Sequence, residues 1–223
     1  MKRWTRWPGA LALSLCMAAS ASSAFAHAHE EMDIVAPKTD SAPIPSSHSY
    51  AFAREVVLDD ELAVLTRYQR SDGRNAGLGG EHFSTVVSKA GVLKGFANIS
   101  LDLAGKTLPS RERSEQVARD FLQHAAPDLL ARMKISWIDP HDETIRVVRG
   151  GREESITLTG MKVKARNLAD GRWFWVIVGS DEKPMVFERD IVWITFPGKR
   201  KTEKWLHDDW LAEQRVSDDG SRF

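Results

Sequence analysis

The sequence predicts an α+β fold: antiparallel β-hairpins in a sheet, with one packed amphipathic helix and a second helix at the C-terminal end. Three observations predict it. Beyond residue 60, apolar and polar residues alternate over most of the chain, which is the period of strands. Glycine-bearing turns separate these runs at hairpin spacing. One stretch, residues 110–123, switches to the helical period.

The elements follow in order. Residues 61–70 carry Leu62, Val64 and Tyr68 after a turn at Asp59-Asp60. Residues 71–80 hold Gly73, Gly77, Gly79 and Gly80 and read as a loose loop. This loop lacks the Gly-Lys-Ser/Thr of a phosphate-binding loop and leads into no helix. Residues 82–88 and 92–101 form a hairpin about Lys89-Ala90-Gly91. Ser110 caps a helix whose stripe is Val117, Phe121, Leu122 and Ala125, and Pro127 ends it. Residues 134–138, 144–148 and 155–159 read as short strands, with Asp139-Pro140-His141-Asp142-Glu143 as a polar turn and Gly150-Gly151 as another. Residues 162–166 and 173–178 pair across Ala169-Asp170-Gly171, and residues 185–188 and 191–196 continue the sheet. Residues 201–215 read as a helix with i,i+4 pairs Glu203–His207 and Lys204–Asp208 and an apolar side of Trp205, Leu206, Trp210 and Leu211.

The chain of 223 residues balances 31 basic against 31 acidic side chains, which argues against a strongly basic nucleic-acid binder. Its first 26 residues have the parts of a secretory signal. Lys2, Arg3 and Arg6 precede a short apolar run, and Ala24-Phe25-Ala26 is an A-x-A cleavage pattern. The run is shorter than the ~20 residues of a spanning helix. Lipidation at Cys16 is the weaker alternative, because bulky Leu15 stands where a small residue belongs. Cleavage after Ala26 takes 26 residues from 223 and leaves 197, with 28 basic and 31 acidic residues and no cysteine. The expected product is periplasmic, has no membrane span, and has no disulfide or thiolate chemistry. Residues 27–50 are Pro/Ser-rich and read as a flexible arm, and residues 51–223 as one α+β domain, with a division into 51–130 and 131–223 left open.

The run Thr85-Val86-Val87-Ser88-Lys89-Ala90-Gly91-Val92 resembles the strand, turn and strand of fungalysin/thermolysin-type propeptide domains. The helix at 110–123, with Glu112, Val117, Ala118 and Phe121, is similar to the one that follows there. Residues 162–177, with Asp170-Gly171-Arg172 between two strands, look like the hairpin of a PepSY domain. Together these motifs cover about half of the mature chain. Gly179–Lys183 departs from the usual Thr-Gly ending, and no HExxH helix follows, so the chain is not the proform of a metalloprotease. The resemblance implies a stand-alone exported module that binds, inhibits or assists another protein, and it supplies no catalytic residues.

Two groups point to chemistry. Cleavage after Ala26 would start the mature chain at His27-Ala28-His29, whose amine, amides and imidazole suit Cu(II) or Ni(II) in a square plane, unless the two histidines merely sit in the arm without a ligand role. His27 with a second histidine from the fold would serve equally, His48, His82, His124, His141 and His207 being the partners on offer. Trp173 and Trp175 share one face of a strand and Phe174 takes the other, so this strand is covered on both sides or keeps one for a partner. The leading expectation is a soluble periplasmic binding or accessory module without enzymatic activity, acting on a protein partner of the envelope or on a metal. The alternatives are a copper enzyme using His27 and a metalloprotease inhibitor.

Overall fold

The computed structural model describes residues 43–220, all within one compact unit. Eight strands build one antiparallel sheet: β1 (His48–Leu58), β2 (Glu61–Arg70), β3 (His82–Ser88), β4 (Leu93–Ile99), β5 (Met133–Arg149), β6 (Arg152–Asn167), β7 (Trp173–Val178) and β8 (Pro184–Ile191). Strand β1 begins inside the stretch read as an arm. Two helices, α1 (Arg111–Ala125) and α2 (Pro127–Leu130), link β4 to β5, a small hairpin of β9 (Trp193–Ile194) and β10 (Lys199–Arg200) follows β8, and α3 (Asp208–Gly220) comes last. The order across the sheet is β1-β2-β3-β4-β8-β7-β6-β5. Two meanders therefore meet at their last strands, where Gly95, Phe96 and Ala97 pair with Glu188, Phe187 and Val186.

This corrects the expected α+β class. Half of the structure, 50%, is strand and only 17% is helix, so the fold is a mostly antiparallel β-sheet. The reasons lie in two misread segments. Asp139–Glu143 is not a turn: β5 runs unbroken for 17 residues and pairs throughout with the 16 residues of β6. An edge strand tolerates Pro140, which has no N–H to give. Residues 201–207 are not helical either, because their side chains are bonded elsewhere. Glu203 accepts from the amide of Asp59 at 2.9 Å, Thr202 donates to Asp59, and Trp205 Nε1 donates to the carbonyl of Val57 at 2.7 Å. Tertiary bonds outweigh helix propensity of a few tenths of a kcal/mol per residue, and α3 starts only at Asp208.

Turn chemistry sets the hairpins. Asp59 and Asp60 both take left-handed φ angles (45° and 69°), as do Gly150 and Gly151 (56° and 78°), the geometry of two-residue hairpins. Ser110 accepts from the amide of Arg113 at 3.1 Å and starts α1. The helix lays Val117, Phe121 and Leu122 on one face of the sheet against Phe83, Phe96, Phe174 and Phe187. Ring centroids are 5.5 Å apart for Phe96–Phe121 and 5.1 Å for Phe121–Phe187. Each such buried side chain contributes about 2 kcal/mol.

The opposite face is concave. The loop after β2 crosses to the far edge strand: Arg146 donates its amide to the carbonyl of Gly79 at 2.6 Å and its guanidinium to that of Leu78 at 2.7 Å. The Val148 amide also donates to Asn75 Oδ1 at 3.1 Å. The glycine loop is thus a clasp and not a loose connection. Gly80 is obligatory in it, since a Cβ there would lie 1.7 Å from the carbonyl oxygen of Asn75. Inside the curl, Trp205, Leu206 and Leu211 pack on Val56, Leu65, Ile145 and Leu158.

Gly95 sits at the seam of the two meanders, where a Cβ would meet the Phe187 carbonyl oxygen at 2.6 Å and Leu206 at 2.8 Å. Gly95→Ala is expected to destabilise the fold by about 2 kcal/mol through overpacking, read from the midpoint of urea unfolding.

Candidate functional site

The concave face changes character along β6. Leu158 packs with the C-terminal segment, and Gly160, Lys162, Lys164 and Arg166 follow at alternate positions on the same face. Three groups of side chains are built on this plan.

The first is an ion network at the centre. Glu188, on β8 beside Gly95 and Trp175, is 3% exposed. It accepts from Arg200 at 2.7 Å, from Trp175 Nε1 at 3.1 Å and pairs with His207 Nε2 at 3.2 Å. Arg200 is aimed by the carbonyls of Thr202 and Glu203, at 2.9 and 2.8 Å. Burial opposes the charge of Glu188, yet His207 and Arg200 outweigh it and hold the carboxyl well below the usual range. Burial likewise opposes the charge of His207, and Glu188 reverses the balance and raises it. Lys162 lies 4.1 Å from the Trp175 ring centroid, and burial pushes it down to about 8 despite the pull of Glu188 and Glu143.

The second group locks the clasp. Arg67, 1% exposed, grips Asp208 with both terminal nitrogens at 2.5 and 2.8 Å, and Asp208 also accepts from the amide of Gly79. Glu81 is fully buried and accepts from Arg74, Asn75 and the amide of Leu101. His82 bonds the carbonyl of Gly80 at 3.0 Å. Burial first, then the Arg67 guanidinium, pushes His82 down to about 4. An open polar cleft of about 710 Å³ lies outside this lock, lined by Gly79, His207 and Asp209 and by Arg146 and Glu153, which pair at 2.8 Å.

The third group is open. Lys164 places its ammonium 4.7 Å from the ring centroid of Trp173, 5.4 Å from Trp137 and 5.5 Å from Trp193. Arg166 lies 5.7 Å from the Trp173 centroid. Trp137 is 37% exposed, Trp193 46% and Phe196, in the turn after β9, 90%. A cleft of about 350 Å³ lies alongside, lined by Lys134, Arg166, Leu168 and Trp173. Among the described residues, no carboxylate is within ion-pairing distance of Lys134, Lys164 or Arg166.

Of the residues singled out from sequence, His27 and His29 lie outside the described residues. The other histidines are not gathered: His124 bonds the carbonyl of Asp120, His141 pairs with Glu143, and His207 with Glu188. Among the described residues, no three His, Cys, Asp or Glu side chains converge as a metal site. Trp173 and Trp175 share the concave face as their spacing requires, but their roles divide. Trp175 is 5% exposed and bonded to Glu188, whereas Trp173 is half-buried under Lys164. Sequence reading missed Lys164, Arg166 and Trp137. Alternating cations on β6 opposite alternating tryptophans on β7 were a usable signal; Trp137 carried none. Among the described residues no helix is long and apolar enough to cross a membrane. No family model, curated protein or solved structure matches the chain.

Two outcomes are expected of the buried groups. Glu188→Gln leaves Arg200 and His207 without a counter-charge and should cost about 3 kcal/mol or more of stability, measured by denaturant unfolding at neutral pH. His82 takes a proton near 6.5 when unfolded but only near 4 when folded. Its stabilisation is therefore present above pH 6.5 and is lost as pH falls toward 4, by about 3 kcal/mol. In thermal melts, His82→Asn should flatten most of the decline between about pH 6.5 and about pH 4.5.

Proposed function

We propose that the protein is a non-enzymatic binding module of the bacterial envelope, exported by its N-terminal signal, that captures a protein partner on the basic half of its concave face. One observation carries the reading: the C-terminal segment covers only the apolar half of that face, and Trp137 and Trp193 stand exposed beside Lys164 on the other. Exposed tryptophans grouped on a rigid sheet with arginine and lysine have the composition of interaction hot spots.

The most buried carboxylates of the described residues are tied into the fold. Glu188, Glu81 and Asp208, the most buried carboxylates, are each saturated by cations or amides from several elements. Groups so bound serve as structural ties between the elements that hold them. The propeptide-like motifs on β3, α1 and the β6–β7 hairpin point the same way, to a module that acts by contact.

Capture from an envelope extract tests this. The mature protein should retain a partner that the double variant Trp137→Ala, Trp193→Ala releases, with an affinity loss of about a hundredfold for two hot-spot side chains. Both side chains are exposed, so unfolding midpoints should stay within about 0.5 kcal/mol of the parent. Equal retention by parent and variant refutes the reading.

A further inference from the structure

We infer that the basic half of the concave face binds an extended acidic segment of the partner, with carboxylates at alternate positions along Lys164 and Arg166. The inference rests on the binding-module reading and names the chemistry of what is bound.

Charge is the first argument. Four of the described cations that enter the fold meet a carboxylate: Arg67 meets Asp208, Lys94 meets Glu61 and Asp190, Arg189 meets Asp128, and Arg200 meets Glu188. Lys164 is half-buried and meets three indole rings instead. Rings attract an ammonium without neutralising it, and its N–H donors make no hydrogen bond to the protein among the described residues. Burial lowers the affinity of Lys164 for its proton, as an uncompensated charge requires. Arg166, with one nitrogen on the Gly171 carbonyl at 3.0 Å, and Lys134 across from it on β5 extend the same uncompensated field. An anion from outside completes it.

Spacing is the second argument. Same-face positions on a strand repeat every two residues, about 6.8 Å. An extended polypeptide lying along β6 repeats its own side chains at that distance, so acids at alternate positions meet Lys164 and Arg166 in register. The residues between them turn away, and an apolar one on the acidic side can enter the cleft of about 350 Å³ between Arg166, Leu168 and Trp173. The outer edge of β5 is a poorer site for such a strand. Arg111 occupies the Ile138 carbonyl, Pro140 interrupts the donors and the clasp takes Arg146 and Val148. The segment therefore lies on the face and not on the edge.

The test uses the mature protein and synthetic peptides of about ten residues. One alternates glutamate and threonine around a central leucine, a second replaces glutamate by glutamine, and a third gathers the glutamates in a block. Dextran sulfate serves as the polysaccharide arm, and tryptophan fluorescence reports binding. The alternating acidic peptide should bind, and its affinity should fall as salt rises. The Lys164→Gln, Arg166→Gln protein should bind it at least tenfold more weakly. Equal binding of the glutamine or the blocked peptide overturns the inference, as does tighter binding of dextran sulfate than of the peptide. So does self-association of the protein through this face. If the alternating peptide fails while Trp137→Ala, Trp193→Ala still releases an envelope partner, the acidic segment is refuted and the binding module stands. If neither variant changes anything, both fall.

Discussion

A single buried carboxylate organises this molecule. Glu188 lies on the strand where the two meanders join, opposite Gly95, where a Cβ would collide with the Phe187 carbonyl oxygen and with Leu206. An ion in that position must be paired, since an isolated buried charge costs several kcal/mol. The partners come from three directions: Trp175 from the next strand, Arg200 from the β9–β10 hairpin and His207 from the start of the C-terminal segment. Pairing Glu188 therefore draws the hairpin and the C-terminal segment onto the concave face. The cover over the apolar half follows from the charge beneath it.

The curl of the sheet depends on a second, similar arrangement. Arg67 on β2 and Asp208 at the head of α3 hold each other, and the amide of Gly79 joins them, so the glycine loop is fastened to the same C-terminal segment that Glu188 anchors. The loop then reaches β5 and shields the end of an edge strand that would otherwise offer unpaired donors. Two ion pairs, one strand loop and one terminal segment thus close the apolar half of the face. None of them reaches the half that carries Lys164.

Local chemistry was legible in the amino-acid sequence wherever a turn or cap decides the outcome by itself. Asp59-Asp60, Lys89-Ala90-Gly91, Gly150-Gly151 and the Ser110 cap mark real boundaries. Segments decided by distant partners were not legible. Residues 201–207 have a helical pattern but are bonded to Asp59 and Val57, some 140 positions away, and pattern cannot report that. Asp139–Glu143 reads as a turn by composition, and only its place at the sheet edge makes a proline-bearing strand acceptable. These two errors gave helix too much weight and strand too little, which is why the balanced α+β expectation fails. The candidate surface was half legible. Trp173 follows from hairpin spacing, whereas Trp137 joins it only through the register of β5 on β6, with a bulge after Ile135 that turns Trp137 toward Lys164.

The same commitments that stabilise the apolar half explain why the basic half remains uncompensated. Glu188 is a deeply buried carboxylate that acts on Lys162, and its charge is already balanced by Arg200 and His207. It moderates Lys162, which stands directly over Trp175, but little of its field is left for the next positions. Moving a carboxylate of this chain toward Lys164 would need either β9 or β5 to give up an aromatic ring that now packs against it. Those rings shield the ammonium from water while leaving its charge unbalanced, and a charge so placed interacts with an incoming carboxylate more strongly than a fully solvated one does. The tryptophans therefore supply contact area and also sharpen the electrostatic preference of the surface they border.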